Sequence, residues 1–191
     1  MRRLEGFQRG INLGGWLSQG PLDKHHLDTF IVEDDIKKIA GWGADHVRLP
    51  LDYENVETEE GGDIEEGYRH IEDCISWCRK YNLNMVLDLH KTPGYIFDDQ
   101  DYSKDFFHNE ELQERFLNLW KKIISRLAKD ADIVMFELLN EVASFNVVDE
   151  WNELSARAVK VIREYAPTAR ILYGGVGYNL SLIHISEPTR L

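Results

Sequence analysis

Residues 133–141 read IVMFELLNE, an apolar run that ends abruptly in an amide and a carboxylic acid. Short apolar runs of this kind are typical of strands that are buried on both faces of a parallel sheet. In parallel β/α proteins, the C-terminal ends of such strands carry the reactive side chains. The stretch therefore predicts a buried strand that presents Asn140 and Glu141 at its C-terminal end.

Four further runs of similar character predict four more strands, at residues 10–16, 46–50, 84–90 and 170–175. Each run is short, apolar and only loosely alternating, as expected for strands covered on both faces. The first run leads into a glycine turn. Together with the opening stretch, they make five predicted strands.

Amphipathic helices are predicted between these strands. Apolar residues recur at three- and four-residue steps within residues 32–40, 68–78, 112–127 and 151–165, which is helical spacing. Strands and helices therefore alternate, with strand starts roughly 35–50 residues apart, and this alternation predicts parallel βα units.

Two parallel architectures fit this alternation, a doubly wound sheet and a barrel. A dinucleotide-binding doubly wound sheet shows a Gly-x-Gly-x-x-Gly turn after its first strand, which GINLGG at residues 10–15 does not match. A complete barrel needs eight βα units and about 250 residues, whereas this chain of 191 residues holds five. We therefore predict the α/β class, with residues 1–180 forming the N-terminal part of a (β/α)8 TIM barrel.

The last eleven residues, SLIHISEPTRL at 181–191, do not continue the pattern. A fifth helix is due after the fifth strand, but this segment has no helical stripe and contains a proline. It resembles the translation of a sequencing-library adapter. We interpret residues 181–191 as a non-native tail left by sequence assembly and exclude them from the fold.

Composition and charge narrow the possible partners. The net charge is −12, with acidic residues spread along the chain, which argues against nucleic acid and anionic membranes as partners. Cys74 and Cys78 have no further cysteine to complete a metal site, so we expect two buried apolar residues and neither metal nor cofactor. The basic start MRRLEG lacks an apolar run behind it, which predicts no signal peptide and, if Met1 is the true start, a cytoplasmic protein. If the chain is clipped at that end, an extracellular protein is the alternative.

Polar or aromatic side chains follow the predicted strands at their C-terminal ends, which we call the rim. Several of these side chains can bind a ligand or transfer a proton, and in a barrel they would face one another. In chain order they are Asn12, Trp16, Arg48, His90, Asn140, Glu141 and Asn179.

Five motifs in order carry a family resemblance: GINLGGW at 10–16, HVRLP at 46–50, LDLH at 87–90, FELLNE at 136–141 and GG at 174–175. Together they resemble the cellulase family of glycoside hydrolases, family 5, whose members are retaining barrel glycosidases. The resemblance implies an endoglucanase-like enzyme that cleaves β-glucosidic bonds in β-linked oligo- or polysaccharides by double displacement.

The same resemblance implies roles for the residues of the rim. Glu141 would be the general acid/base, and Asn140 would hydrogen-bond the sugar 2-hydroxyl. His90 would line the subsite at the cleaved bond, and Arg48 would lie against the nucleophile. Trp16 would either stack on a sugar ring or belong to the core.

The second carboxylate that retention requires is harder to find. The two carboxyl groups of a retaining enzyme lie about 5–5.5 Å apart, but Glu137 and Glu141 are four residues apart on one predicted strand, roughly 13 Å. We expect Glu137 to be a buried polar residue paired with a neighbour, and Asp88 to lie one layer below the rim. The resemblance puts the nucleophile after a seventh strand, so we expect this chain alone to be inactive and, with an open sheet edge, poorly stable.

Three interpretations stay open at this point. The aromatic residues of loop 91–107 (Tyr95, Phe97, Tyr102, Phe106 and Phe107) either stack on sugar rings or pack the loop against the barrel. A metabolic lyase or aldolase would need a Schiff-base lysine or metal-binding carboxylates, and Lys91 follows the third strand without such companions. A non-catalytic carbohydrate-binding barrel would explain the missing nucleophile.

Overall fold

The computed structural model describes residues 4–99 and 105–178. A parallel sheet of five strands forms its centre. The strands are β1 (Gly10–Asn12), β2 (His46–Asp52), β3 (Asn84–Lys91), β4 (Val134–Glu137) and β5 (Arg170–Leu172). Each strand overlaps one predicted run: β1, β4 and β5 lie inside their runs, and β2 and β3 extend one or two residues beyond theirs.

Five α-helices accompany the sheet: α1 (Lys24–Thr29), α2 (Glu33–Gly41), α3 (Glu65–Lys80), α4 (Glu110–Leu127) and α5 (Val148–Tyr165). The four longer helices coincide with the predicted amphipathic stretches. The short helix α1 was not predicted because none of its residues is buried, so it has no apolar stripe. Its start is instead defined by Asp23, whose side chain accepts a hydrogen bond from the His26 backbone N–H at 3.0 Å.

The strands lie side by side in chain order, β1-β2-β3-β4-β5, and every adjacent pair is parallel. A doubly wound sheet reverses its strand order at a switch point, and no such reversal occurs among the described strands. The order is that of a barrel, and it confirms five consecutive parallel strands with helices in the four connections between them. β1 and β5 form the two edges of the described sheet, while β3 is buried along residues 85–90.

Two tryptophans tie the helices to the C-terminal end of the sheet. The indole N–H of Trp120, on α4, donates to the backbone carbonyl of Leu138 at 3.0 Å, and its ring packs edge-on against Phe136. The indole N–H of Trp151, on α5, donates to the carbonyl of Gly174 at 2.9 Å. Because both acceptors lie just beyond β4 and β5, each helix fixes the chain where its strand ends.

Three strands, β1, β4 and β5, are shorter than predicted, and most of the residues that are not in a strand lie at their C-terminal ends. The predicted strand over 133–140 is regular only for Val134–Glu137. The chain beyond it still bonds to both neighbours: Leu138 N–H donates to Leu172 O at 3.0 Å, and Asn140 N–H donates to Leu89 O at 3.0 Å. Residues 138–140 therefore stay attached to the sheet although they leave the regular ladder.

Other sequence predictions concern the core and the chain's ends. Cys74 and Cys78 are buried free thiols, as predicted. Within residues 4–99 and 105–178, no helix has the length and apolar character needed to cross a bilayer. Asn179 and the predicted tail at 181–191 lie outside the described residues, so the interpretation of the tail stays a prediction.

One close approach between α3 and the preceding loop tests this packing. A Cβ added at Gly67, which is buried in α3, would lie 1.8 Å from the backbone oxygen of Asn55. Gly67→Ala should therefore lower the free energy of unfolding by about 3 kcal/mol, the upper part of the usual cost of overpacking. Gly41→Ala is the matched control, because a Cβ there meets nothing within 4 Å and alanine is the better helix former by about 1 kcal/mol.

Urea unfolding of the two variants, followed by circular dichroism, measures both effects. We expect Gly67→Ala to unfold at lower urea than the unmodified chain, and Gly41→Ala at equal or higher urea. Equal midpoints for the two variants would contradict the described docking of α3 on the loop at Asn55.

Candidate active site

The segment that follows β4 carries the predicted acid. Backbone bonds from Leu138 and Asn140 attach it to β5 and β3, and Trp120 on α4 bonds the Leu138 carbonyl. Glu141 then adopts φ = +36°, in the left-handed region that residues other than glycine rarely occupy. Such a conformation persists only where the surrounding structure holds it, and it is common at functional sites.

The carboxylate of Glu141, unlike those of Glu137 and Asp88, has no ion pair among the described residues. Its side chain is half-buried, and in the described part of the chain its hydrogen bond runs through its backbone carbonyl, which accepts from the Tyr95 hydroxyl at 2.9 Å. By contrast, ion pairs hold the carboxylates of Glu137 and Asp88. Glu141 is therefore the acid of this group that a ligand can reach.

Arg48 joins the strands around this acid. Its guanidinium donates to both carboxylate oxygens of Glu137, at 2.7 and 3.1 Å, and to the side-chain oxygens of Asn140 at 3.0 Å and Asn12 at 3.1 Å. It also lies 2.8 Å from Asp88. One side chain from β2 thus contacts residues of β1, β3 and β4 and of the segment that follows β4.

The charge of Arg48 is secured by these contacts. Burial disfavours the charged guanidinium, but the hydrogen bond to Glu137 and the charges of Asp88, Glu137 and Glu141 outweigh that effect and raise the pKa of Arg48. A permanently charged guanidinium beside carboxylates keeps anions ionised. It also pairs Glu137, 9% exposed, as the sequence predicted.

His90 and Asp88 form a second buried pair beside Arg48. The His90 Nδ1 lies 2.6 Å from the Asp88 carboxylate, and Asp88 is fully buried. When Asp88 accepts from Nδ1–H, the Nε2 of a neutral His90 is an acceptor. That Nε2 is buried without a hydrogen-bond partner among the described residues, so its capacity to accept a hydrogen bond is unsatisfied there.

The environment of Asp88 shifts its acidity. Burial, with the charge of Glu137, raises the pKa of the Asp88 carboxyl to about 6, although the hydrogen bond from His90 and the charge of Arg48 lower it. Strongly shifted pKa values of this kind cluster at functional sites, where burial makes ionisation of a carboxyl group unfavourable.

The structure corrects the expectation for Trp16. Its side chain is 1% exposed, its indole N–H donates to Leu27 O at 2.8 Å, and its ring stacks on Trp77 with centroids 6.3 Å apart. The chain turns at Gly15, where φ is +79°, and carries Trp16 between α1 and α3. A buried ring offers no face to a sugar, so stacking on substrate was the wrong interpretation and Trp16 is a core residue.

The aromatic loop after β3 divides between the two interpretations. Tyr95, Phe106 and Phe107 are buried and pack against one another, which confirms packing for these three. Phe97 is half-buried and meets the His90 ring edge-on at 5.6 Å, so it is the aromatic of this loop that reaches the site. Tyr102 lies outside the described residues.

Sequence reasoning missed the polar role of Tyr95. Its hydroxyl donates to Glu141 O and accepts from the Ala143 N–H at 3.0 Å, but an aromatic residue in an aromatic-rich loop gives no signal of such a contact.

A separate group, Asp28, Glu66 and His70, brings possible metal ligands within 4.8 Å of one another. Lys24 and Arg69 already pair its two carboxylates, and we assign no metal to it.

Comparison with known families decides the assignment. The family model described as Cellulase (glycosyl hydrolase family 5) matches residues 12–189. The chain belongs to this family. The motifs that suggested the resemblance, FELLNE at 136–141 above all, are those that place Asn140 and Glu141 at the site just described.

Two similar proteins are a cellodextrinase and an endoglucanase. Cellodextrinase A of Ruminococcus flavefaciens is 47% identical over 179 residues, which cover 94% of this chain and 53% of that protein. Endoglucanase C of Acetivibrio thermocellus is 44% identical over 176 residues, covering 91% and 51%. The chain therefore spans about half the length of these curated relatives.

Solved structures of the family show the same fold. Endoglucanase Cel5A of Thermotoga maritima superimposes with a TM-score of 0.74 at 26% identity, covering 91% of this chain and 53% of that one. Together with the strand order, this likeness confirms that the described chain is part of a (β/α)8 barrel.

The pKa of Asp88 generates a prediction about stability and pH. Because its folded pKa of about 6 lies above the ordinary value of 3.8, its contribution to stability is full below pH 3.8 and is lost as pH rises through 6. The unmodified chain should therefore gain up to about 3 kcal/mol relative to Asp88→Asn between pH 7.5 and 4.

Chemical denaturation of both proteins across that pH range measures the difference. Subtracting the variant cancels the titrating groups that lie away from Asp88, which are common to both. A difference that is flat, or that grows as pH rises, would show that burial does not dominate the acidity of Asp88.

Proposed function

We propose that the complete protein carrying this chain is a retaining glycoside hydrolase that cleaves β-glucosidic bonds in β-glucans or derived oligosaccharides. The observation that carries the proposal is the half-buried carboxyl of Glu141, whose charge acts on Arg48, the residue that binds Asn140 and Asp88. The names of the similar proteins, a cellodextrinase and an endoglucanase, make cello-oligosaccharides and cellulose-like glucans the first substrates to test.

Glu141 supplies the proton in this mechanism. As general acid it protonates the glycosidic oxygen while a nucleophile attacks the sugar, and as general base it then activates the water that releases the sugar from the enzyme. The two carboxyl groups of such an enzyme need different environments. A half-buried acid held through its backbone suits a group that must exchange its proton with substrate and water.

The neighbouring polar groups bind the sugar at the cleaved bond. Because the Asn140 side-chain oxygen accepts from Arg48, its NH₂ group is left to donate to the 2-hydroxyl, a bond that strengthens in the transition state. The Nε2 of His90, which has no hydrogen-bond partner among the described residues, accepts from another hydroxyl. Phe97, edge-on to His90, adds an apolar surface next to that position.

The nucleophile comes from a later part of the barrel in this proposal. Glu137 is held by two hydrogen bonds from Arg48, and Asp88 is fully buried and paired with His90. Neither is free to attack a sugar. A carboxylate about 5–5.5 Å from Glu141, supplied after the described strands, would complete the pair.

The two alternatives fare differently. Lys91 is ion-paired with Glu54 and is therefore held in its charged form, which does not suit a Schiff-base nucleophile; the lyase or aldolase interpretation has no support. A carbohydrate-binding chain without turnover is favoured by one observation. In the described cluster around Arg48, Asp88 and Glu137 are held in ion pairs, so a ligand can reach one carboxylate, Glu141, whereas a retaining mechanism needs two.

Replacement of the acid tests the proposal in the complete protein. Glu141→Gln keeps the size of the side chain but cannot donate a proton, so kcat on cello-oligosaccharides should fall by about 10²–10⁴, the usual contribution of general acid–base catalysis. Steady-state hydrolysis assays measure it. Glu164→Gln, an exposed change on α5, is the matched control and should keep the full rate.

Two results would count against the proposal. A Glu141→Gln enzyme with a rate near that of the unmodified protein would remove Glu141 from the mechanism. Sugar binding by the complete protein without any turnover would favour the carbohydrate-binding alternative.

A further inference from the structure

The loop after β3 holds the segment after β4 through one hydroxyl group. The Tyr95 hydroxyl donates to the carbonyl of Glu141 at 2.9 Å and accepts from the N–H of Ala143 at 3.0 Å. It therefore closes the turn over residues 141–143 from one side. On the other side, the Val142 carbonyl accepts from the N–H of Tyr178 at 3.2 Å.

This turn needs an external hold because of its backbone. Glu141 has φ = +36°, which costs free energy for a residue with a Cβ. That backbone angle sets the direction of its Cα–Cβ bond. Since its contact in the described chain is through the backbone carbonyl, what fixes that carbonyl also fixes the point from which the side chain extends.

Tyr95 is itself rigid enough to serve as the hold. Its side chain is 2% exposed and packs edge-on against Phe107 at 5.3 Å and tilted against Phe106 at 5.5 Å. Its backbone exchanges two hydrogen bonds with Thr92, at 3.1 and 2.9 Å. Burial raises the pKa of Tyr95 to about 12, so the hydroxyl keeps its proton and donates it at every working pH.

We propose that Tyr95 is a positioning residue: its hydroxyl, bonded to Glu141 O and Ala143 N–H, sets the Glu141 carboxyl at the glycosidic oxygen. This rests on the proposed function, because it assigns Tyr95 a part in the same acid/base step. Tyr95 touches no substrate and acts through the backbone of residues 141–143. The aromatic loop after β3 thereby supports the acid in the segment that follows β4.

The test uses the complete protein and removes one oxygen atom. Tyr95→Phe keeps the ring and its aromatic packing but loses both hydrogen bonds. The matched control is Tyr68→Phe, since Tyr68 is equally buried and its hydroxyl has no hydrogen-bond partner among the described residues. Circular dichroism first establishes a temperature at which all three proteins are folded.

The readout is hydrolysis of aryl β-cellobiosides that differ in their leaving group. A poor leaving group such as phenol needs protonation by Glu141, whereas 2,4-dinitrophenolate leaves with little help. We expect Tyr95→Phe to lose about 10–100-fold in kcat/KM on the phenyl substrate and less than about threefold on the dinitrophenyl substrate. Tyr68→Phe should match the unmodified enzyme on both.

Other outcomes separate the two proposals. A loss that is equal for both leaving groups, or no loss, would overturn the positioning role while the proposed function stands. An unmodified protein that hydrolyses neither substrate would overturn the proposed function, and with it the catalytic part of this inference. Hydrogen exchange at the Ala143 amide then decides the contact itself: faster exchange in Tyr95→Phe alone supports the hold, and unchanged exchange refutes it.

Discussion

The described half of the barrel is organised around the guanidinium of Arg48. Its bonds reach Asn12, Asp88, Glu137 and Asn140, so residues of four strands and of the segment after β4 meet at one charge. Removing two carboxylates from water is costly unless each is paired and hydrogen-bonded. Because arginine offers five donors in a planar fork, one side chain satisfies them together, and the rim depends on it.

This arrangement sorts the acids of the site by environment. Glu137 and Asp88 are committed to Arg48 and His90, and burial makes Asp88 hard to ionise, with a pKa of about 6. Glu141 stands outside these ion pairs and is held through its carbonyl by Tyr95. Carboxyl groups with separate environments can take separate roles, so one acid is left to exchange a proton with a ligand while the others maintain the shape of the site.

The sequence predicted the elements whose signal is local and left open those that depend on distant partners. Period and apolar content were enough for β2, β3 and the four long helices, and the polar residues on or just after the strands included Arg48, His90 and Glu141. Trp16 stayed open between sugar stacking and the core because its burial depends on Trp77, sixty-one residues later along the chain. The hydroxyl contact of Tyr95 and the left-handed Glu141 are likewise properties of the packed turn, and residue type alone does not reveal them.

The geometry of Arg48 also bears on where a second carboxylate would enter. Its Nη1 donates to Asn12, on the exposed edge strand β1, whereas Nε and Nη2 are committed to residues of β3, of β4 and of the segment beyond β4. In a closed eight-stranded barrel the last strand pairs with β1, so later strands approach Arg48 from the side of Asn12. Nη1, whose described partner is Asn12, is therefore the donor best placed to receive a carboxylate from a late strand, and the same guanidinium that orders this half of the barrel would keep that carboxylate ionised.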